Sequence, residues 1–283
     1  NATADITLTT LNQSIVMQAG GNLTLNAGVT TNEGGIHLEA NSGSATDLDA
    51  TAGDLTISAT GSLSTGAGGG DITLIGEDLL INAASTVAAG SGNINLANIV
   101  SGAGEAAFEI GAVDLDNAGI TALSTTGTVT IGQATTASAA GVIGGGTTIT
   151  VGTIEFQAAS AVATGAADAG TIVFVANDGV TLNDSATFAQ TTTINADANT
   201  DGTGTFTVNN GFTLNSGGNT LNITAADVVL AGTGAVNSGA ADTTITASNN
   251  RSIGLGATAG DMTVTDAELN NIVAANVSFT SGA

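Results

Sequence analysis

Apolar and polar residues alternate over short stretches along the whole chain. ITLTT (6–10), NLTLNA (22–27), GIHLEA (35–40), DLTISA (54–59), DITLIG (71–76), DLLINA (78–83) and NINLAN (93–98) come first. TVTIGQ (128–133), TTITVG (147–152), TIEFQA (153–158), TIVFVA (171–176), TTTINA (191–196), TFTVNN (205–210), LNITAA (221–226), TTITAS (243–248) and DMTVTD (261–266) follow. Each is rich in β-branched residues and bounded by Gly, Asn, Asp, Ser or Ala, which predicts a strand buried on one face. Helical spacing is nearly absent. The exception is DAELNNIVAAN (266–276), where Ala267, Leu269, Ile272 and Val273 predict one or two helical turns, or else a strand and a corner.

Strands so short and so evenly spread leave two all-β architectures, an array of sandwiches or a β-solenoid. Composition decides between them. The 283 residues include 41 Gly, 7 Phe, and no Pro, Trp or Tyr, so aromatic anchors for sandwich cores are scarce. A narrow coil needs only aliphatic ladders inside and small residues at its corners. A thin core of Val, Ile, Leu, Ala and Thr is therefore expected.

A long internal repeat points the same way. An offset of 149 residues carries Ile72 onto Leu221, Leu74 onto Ile223, Leu79 onto Val228, Val87 onto Val236, Leu96 onto Ile245, Val113 onto Met262 and Ile120 onto Leu269. A whole number of coils would preserve the inside and outside of every position in this way. Coils of roughly 20 residues would make that offset about seven turns and the chain about fourteen. The Gly-rich stretches GAGGGD (66–71) and GVIGGG (141–146) read as wide corners or loops. The expectation is one continuous domain over 1–283, repeating as approximately 1–149 and 150–283.

Charge narrows the chemistry. Against 24 acidic residues stand Arg251 and a single His37, for a formal net charge of −23. Nucleic acid and anionic membrane surfaces should be repelled, and no stretch approaches the roughly 18 apolar residues of a membrane helix. Without cysteine or lysine there is no disulfide, thiolate metal site, Schiff base or P-loop. The carboxylates must be solvated, spread apart or neutralised by dissolved cations, which suits a saline exterior. Asn1 opens a strand-like stretch with no basic or continuous apolar leader, so the chain reads as a mature protein or a fragment.

The phrases GDLTISA (53–59), GNLTLNA (21–27) and GDITLIG (70–76), with the run SIGLGATAGDMTVTDAELNNIVAANVSFTSG (252–282), resemble the repeat region of filamentous-haemagglutinin-type large exoproteins. That resemblance covers essentially the whole chain. It implies a right-handed parallel β-helix forming a single elongated rod, secreted to the cell surface, with a structural or adhesive role. The Asn-Pro secretion motif that opens such exoproteins is absent from this proline-free sequence, which points to a segment of the shaft.

Candidate sites are few. Alternation places His37 outside, beside Glu39 on the same strand, where a solvated histidine is expected. The carboxylate pairs Glu77/Asp78, Glu105/Glu109 and Asp114/Asp116 have the residue types of a glycoside hydrolase, but no aromatic sugar platform accompanies them. GAGGGDITL resembles a calcium-binding nonapeptide out of register at Asp71. Diffuse cation association, calcium included, is expected in place of a defined metal site. The Thr-x-Thr pairs at Thr7/Thr9, Thr128/Thr130, Thr191/Thr193, Thr205/Thr207 and Thr263/Thr265 are too irregular for a flat ice-binding array and read as strand residues. Asn-x-Ser/Thr sequons at Asn1, Asn12, Asn22, Asn183, Asn222, Asn250 and Asn276 match chance in so Asn-rich a chain. Arg251 is expected to pair with a carboxylate on a neighbouring coil or subunit. Altogether the sequence predicts a non-enzymatic shaft with no catalytic, cofactor or metal residues, whose partner is itself, stacked head to tail or within a longer polymer. An adhesin for surface glycans is the first alternative, and a polysaccharide-degrading enzyme the second.

Overall fold

The computed structural model describes residues 4–40, 53–99, 107–112, 114–138, 141–158, 160–162 and 170–282. The protein is all-β, and its strands pair in parallel sheets as coils of a β-solenoid. Two compact units divide the chain: one formed mainly by residues up to Val151, the other mainly by Thr171 onward with Ala107–Ala112 and Gly152–Val162.

In the first unit the chain visits three sheets in turn. One sheet stacks Ile15, Ile36, Ile72, Ile94 and Val129 in register, and alongside them Met17, Leu38, Leu74, Leu96 and Ile131. A second stacks Ile6, Val29, Leu63, Val87 and Leu123. The third stacks Leu23, Leu55 and Leu79, with Leu25, Ile57 and Ile81 beside them. Because side chains alternate along a strand, each ladder points every second residue into the coil, where the aliphatic groups exclude water.

The second unit follows the same plan. Ile172, Thr192, Leu221, Thr243 and Val277 form one ladder, and Phe174, Ile194, Ile223, Ile245 and Phe279 run beside it. Two interior threonines are tolerated because each hydroxyl is bonded: Thr192 Oγ1 donates to the Gln190 carbonyl at 3.1 Å, and Thr243 Oγ1 lies 2.8 Å from Ser238 Oγ.

Strand bounds in the second unit recur 149 residues after those in the first. Ile72–Gly76 corresponds to Leu221–Ala225, Thr86–Ala88 to Ala235–Asn237, Ile94–Asn98 to Thr243–Ala247, and Leu123–Ser124 to Ile272–Val273. Coil length differs from expectation. In the first unit the ladder positions 15, 36, 72, 94 and 129 show that a coil of 21 or 22 residues alternates with one of 35 or 36, the last of these holding an inserted helix. Each unit therefore carries five strands of this kind among the described residues, fewer than coils of uniform length would give.

Both short helices occupy such insertions. Asp266–Leu269, within the predicted segment, is closed by a capping box between Thr265 and Glu268, and Ile272–Val273 then forms a strand. Its counterpart Asn117–Thr121, capped by Asp116 Oδ1 accepting from Gly119 N at 2.7 Å, was not expected from spacing because a single turn leaves no periodicity to read.

The core also needs correction. All seven phenylalanines lie in the second unit, and Phe108, Phe156, Phe174, Phe188 and Phe206 are fully buried there. Ring centroids of Phe156 and Phe174 are 5.2 Å apart, those of Phe174 and Phe188 5.1 Å, in edge and tilted arrangements that favour aromatic contact. The purely aliphatic interior is found in the first unit alone.

Candidate functional site

The most elaborate surface lies on the outer face of the first unit. After the strand Thr128–Ile131 the chain turns at Gly132, whose φ of 94° favours a residue without Cβ. Gln133–Thr135 then pairs antiparallel with Thr148–Thr150, and GVIGGG lies in the loop between them. TTITVG and TIEFQA, which alternation reads as separate segments, are one strand, Thr148–Phe156. Its beginning completes this hairpin, while Ile154 to Phe156 belong to the parallel sheet of the second unit.

Apolar contact holds the hairpin on the coil. Ile75 and Ala97, pointing outward, are fully buried beneath Ala134, with Ile99 and Ile149 packed against them. Covering continues over His37 and Glu39, which are 0% and 3% exposed. His37 is therefore not the solvated histidine that alternation predicts. Ile36 and Leu38 do point inward as expected, but a segment about 100 positions downstream roofs the opposite face.

His37 Nε2 lies 2.9 Å from Glu39 Oε2. Gln18 Nε2 donates to the same oxygen at 3.1 Å, and the backbone N–H of Ala137 reaches it at 3.3 Å. With Nε2 donating to the carboxylate, the Ala137 N–H finds its acceptor in Glu39. Burial pushes the Glu39 carboxyl upward, but hydrogen bonds from His37, Gln18 and Ala137, with the charge of His37, outweigh it and hold the group below its usual range. His37 Nδ1 is buried without a partner among the described residues.

Beside this pair, the hairpin and the sheet enclose a groove of about 300 Å³. Thr73, Asn95 and Thr130, in register on successive strands next to His37, form its floor, and Gln133, Thr135 and Thr148 form its wall. Its polar surface consists of hydroxyls, amides and the carboxylate of Asp71. Such a lining can exchange hydrogen bonds with a neutral polyol, and supplies no nucleophile with an adjacent base.

The other candidates fall elsewhere. Asp71 Oδ1 accepts from Asn93 N at 2.7 Å, as Asp5 Oδ1 does from Gly28 N at 2.8 Å and Asn93 Oδ1 from Thr128 N at 3.0 Å. These corner side chains tie one coil to the next. Asp116 caps a helix. Asp54, Asp78 and Asp114 follow one another on neighbouring coils, since their carbonyls accept in turn from Leu23 N, Leu55 N and Leu79 N. Burial and then the charge of Asp78 raise the Asp54 carboxyl above its usual range. Glu105 lies outside the described residues, as does Asn1, and Glu109 stands opposite Glu155. Among the described residues no three His, Cys, Asp or Glu side chains gather as metal ligands, and no helix is long and apolar enough to cross a membrane.

The threonine pairs stack only in part: Thr7 stands next to Thr30, Thr191 next to Thr171 and Thr207 next to Thr181, but Thr193 stands next to Asn222 and, on its other side, Thr207 next to Val229. Arg251 departs from its expectation within the chain: Nη1 donates to the Gly202 carbonyl at 2.6 Å. A backbone acceptor has taken the place of a carboxylate.

A polar ladder escapes sequence reading. Gln157 Nε2 donates to Glu155 Oε2 at 2.6 Å, Asn183 Nδ2 to Gln157 Oε1 at 3.3 Å, and Asn209 Nδ2 to Asn183 Oδ1 at 2.7 Å. The equal spacing of positions 157, 183 and 209 was the available signal. Asn183, one of the sequon residues, is thus committed to coil stacking.

Searches of protein-family models, curated proteins and solved structures found no match to this chain.

Proposed function

We propose that the chain is the shaft of an extracellular structural fibre, built of stacked coils and extended by further coils of its own kind or of a longer surface exoprotein of filamentous-haemagglutinin type. The observation that carries this reading is the use of polar side chains between coils. Asp5, Asp71, Asn93, Asn183 and Asn209 all bond across to a neighbouring turn, while the apolar side chains form continuous interior ladders. Such a coil stiffens along its axis and offers repeated backbone edges for stacking. The acidic surface opposes lateral clumping, an effect that salt and divalent cations weaken. Electron microscopy of native material tests the proposal: fibres whose width matches one coil support it, and isolated monomers at all concentrations and ionic strengths count against it.

An adhesive reading has one observation in its favour, the groove beneath the hairpin, whose hydroxyls and amides suit a neutral glycan. A glycan array probed with the chain and with an Asn95→Ala variant separates the two. Binding lost in the variant supports adhesion; equal signals from both place any binding elsewhere.

A further inference from the structure

A corner loop of the second unit, Asp197-Ala198-Asn199-Thr200-Asp201-Gly202-Thr203, has carboxylate or amide side chains at its first, third and fifth positions and glycine at its sixth. That spacing is the one in which a short loop wraps oxygen ligands around a calcium ion, the glycine allowing the sharp turn. Gly202 has φ of +85°. Spacing and acidity alone make no site, since solvated aspartates are common at corners. The second observation is the state of Asp197. Its side chain is fully buried in a chain with almost no cations, and its Oδ1 has no partner among the described residues.

The carboxylate is turned into the loop. Oδ2 accepts from Gly202 N at 3.1 Å and from Ser248 Oγ, which ties the carboxylate across the loop from its first position to its sixth. A buried carboxylate oxygen without a partner is costly, and a bound cation would satisfy it, the nearby Arg251 having given its Nη1 to the Gly202 carbonyl. The other candidate ligands, Asn199 and Asp201, are exposed on the same loop. Asp201 is exposed and accepts from Thr203 N at 2.9 Å, and Asn199 Nδ2 donates to Asp201 Oδ2 at 2.9 Å, closing the loop on itself.

We infer that this loop is a calcium site, with Asp197, Asn199, Asp201 and a backbone carbonyl of the loop as ligands and water completing the shell. The assignment is independent of the shaft reading. Calcium is favoured over magnesium because the set is all oxygen, irregular and partly backbone, whereas magnesium requires near-octahedral geometry and gives up its water reluctantly. Two features weaken the affinity. The twelfth position, which carries a bidentate glutamate in the tightest loops of this spacing, is the buried Val208. Arg251, bonded to the Gly202 carbonyl, adds positive charge close by. The dissociation constant should then fall in the range of extracellular modules, about 10⁻⁴ to 10⁻³ M. This assignment replaces purely diffuse cation association with one defined position.

The test is a titration of the full, isotope-labelled chain with calcium chloride in moderate salt, followed by amide NMR, with magnesium chloride as comparison. Saturable shifts confined to Asp197–Thr203 and their contacts at Ser248 and Arg251 are expected. They should vanish in Asp201→Asn, whose exposed side chain leaves the metal-free fold intact, and in Asp197→Asn. Unsaturated shifts spread over all acidic corners, identical in wild type and Asp201→Asn, would overturn the assignment, as would the absence of any shift at these residues up to about ten times the upper end of that affinity range.

Discussion

His37 and Glu39 stand two residues apart on one strand, on the outward side of the coil, yet their side chains meet at 2.9 Å beneath a hairpin that arrives about 100 residues later. A position that alternation alone assigns to solvent has become the anchor of a second layer. The amide of Ala137 closes on this pair, so the hairpin and the pair depend on each other.

Replacing Glu39 with Gln should loosen the hairpin before it affects the coil. Because the folded carboxyl is held below its ordinary value of 4.5, its stabilising contribution is complete above that value and is lost as pH falls through the lower folded value. Wild-type stability should therefore decline over that acidic window, and the decline should be shallower in Glu39→Gln. Hydrogen exchange at Ala137 and thermal unfolding measured from neutral to acidic pH check both statements.

Asp54 carries the opposite sign. Its carboxyl is raised by burial and by Asp78, so its ionised form opposes folding above the raised value, and the opposition is relieved as pH falls through that value toward the ordinary 3.8. Asp54→Asn should raise the melting temperature at neutral pH, with the gain shrinking on acidification. Equal melting curves at neutral pH would remove the repulsion from the account.

Phe174 sits between Phe156 and Phe188 with no exposed surface. Phe174→Ala should cost about 3–5 kcal/mol in denaturant unfolding, the usual price of an aromatic cavity, and Phe174→Leu considerably less. A loss below about 1 kcal/mol for the alanine variant would mean that the cluster is not close-packed.

Within the polar ladder, Asn183→Ala removes the acceptor of Asn209 Nδ2 and a donor to Glu155 and Gln157. The orphaned partners predict a loss of about 1–3 kcal/mol. Substituting Asn222, an outward residue beside Thr193, serves as the control and should change stability by less than about 0.5 kcal/mol.

The alternation of Ile36 and Leu38, or Ile72 and Leu74, was enough to read the strands and their buried faces, because a period of two admits one assignment once a face is apolar. The 149-residue offset showed which positions correspond. Neither could show that Ile75 is covered, since covering comes from a hairpin distant in sequence. The same reason hid His37. The single-turn helix at Asn117 and the phenylalanine cluster were illegible for different causes, the first too short to show a period and the second assembled from strands of different sheets whose convergence alternation does not encode. The spacing at Asp197 stands in the sequence but was not singled out there, and its significance rests on the burial of one carboxylate oxygen, which only the fold reveals.

The central claim is that aliphatic residues lie directly over one another on successive parallel coils. Methyl-labelled NMR tests it most directly through through-space contacts among Leu38, Leu74, Leu96 and Ile131. Cross-peaks linking Leu38 to Leu74, Leu74 to Leu96 and Leu96 to Ile131, with none skipping a coil, are the expected result. Contacts that reverse the strand direction or shift the register by one residue would contradict it.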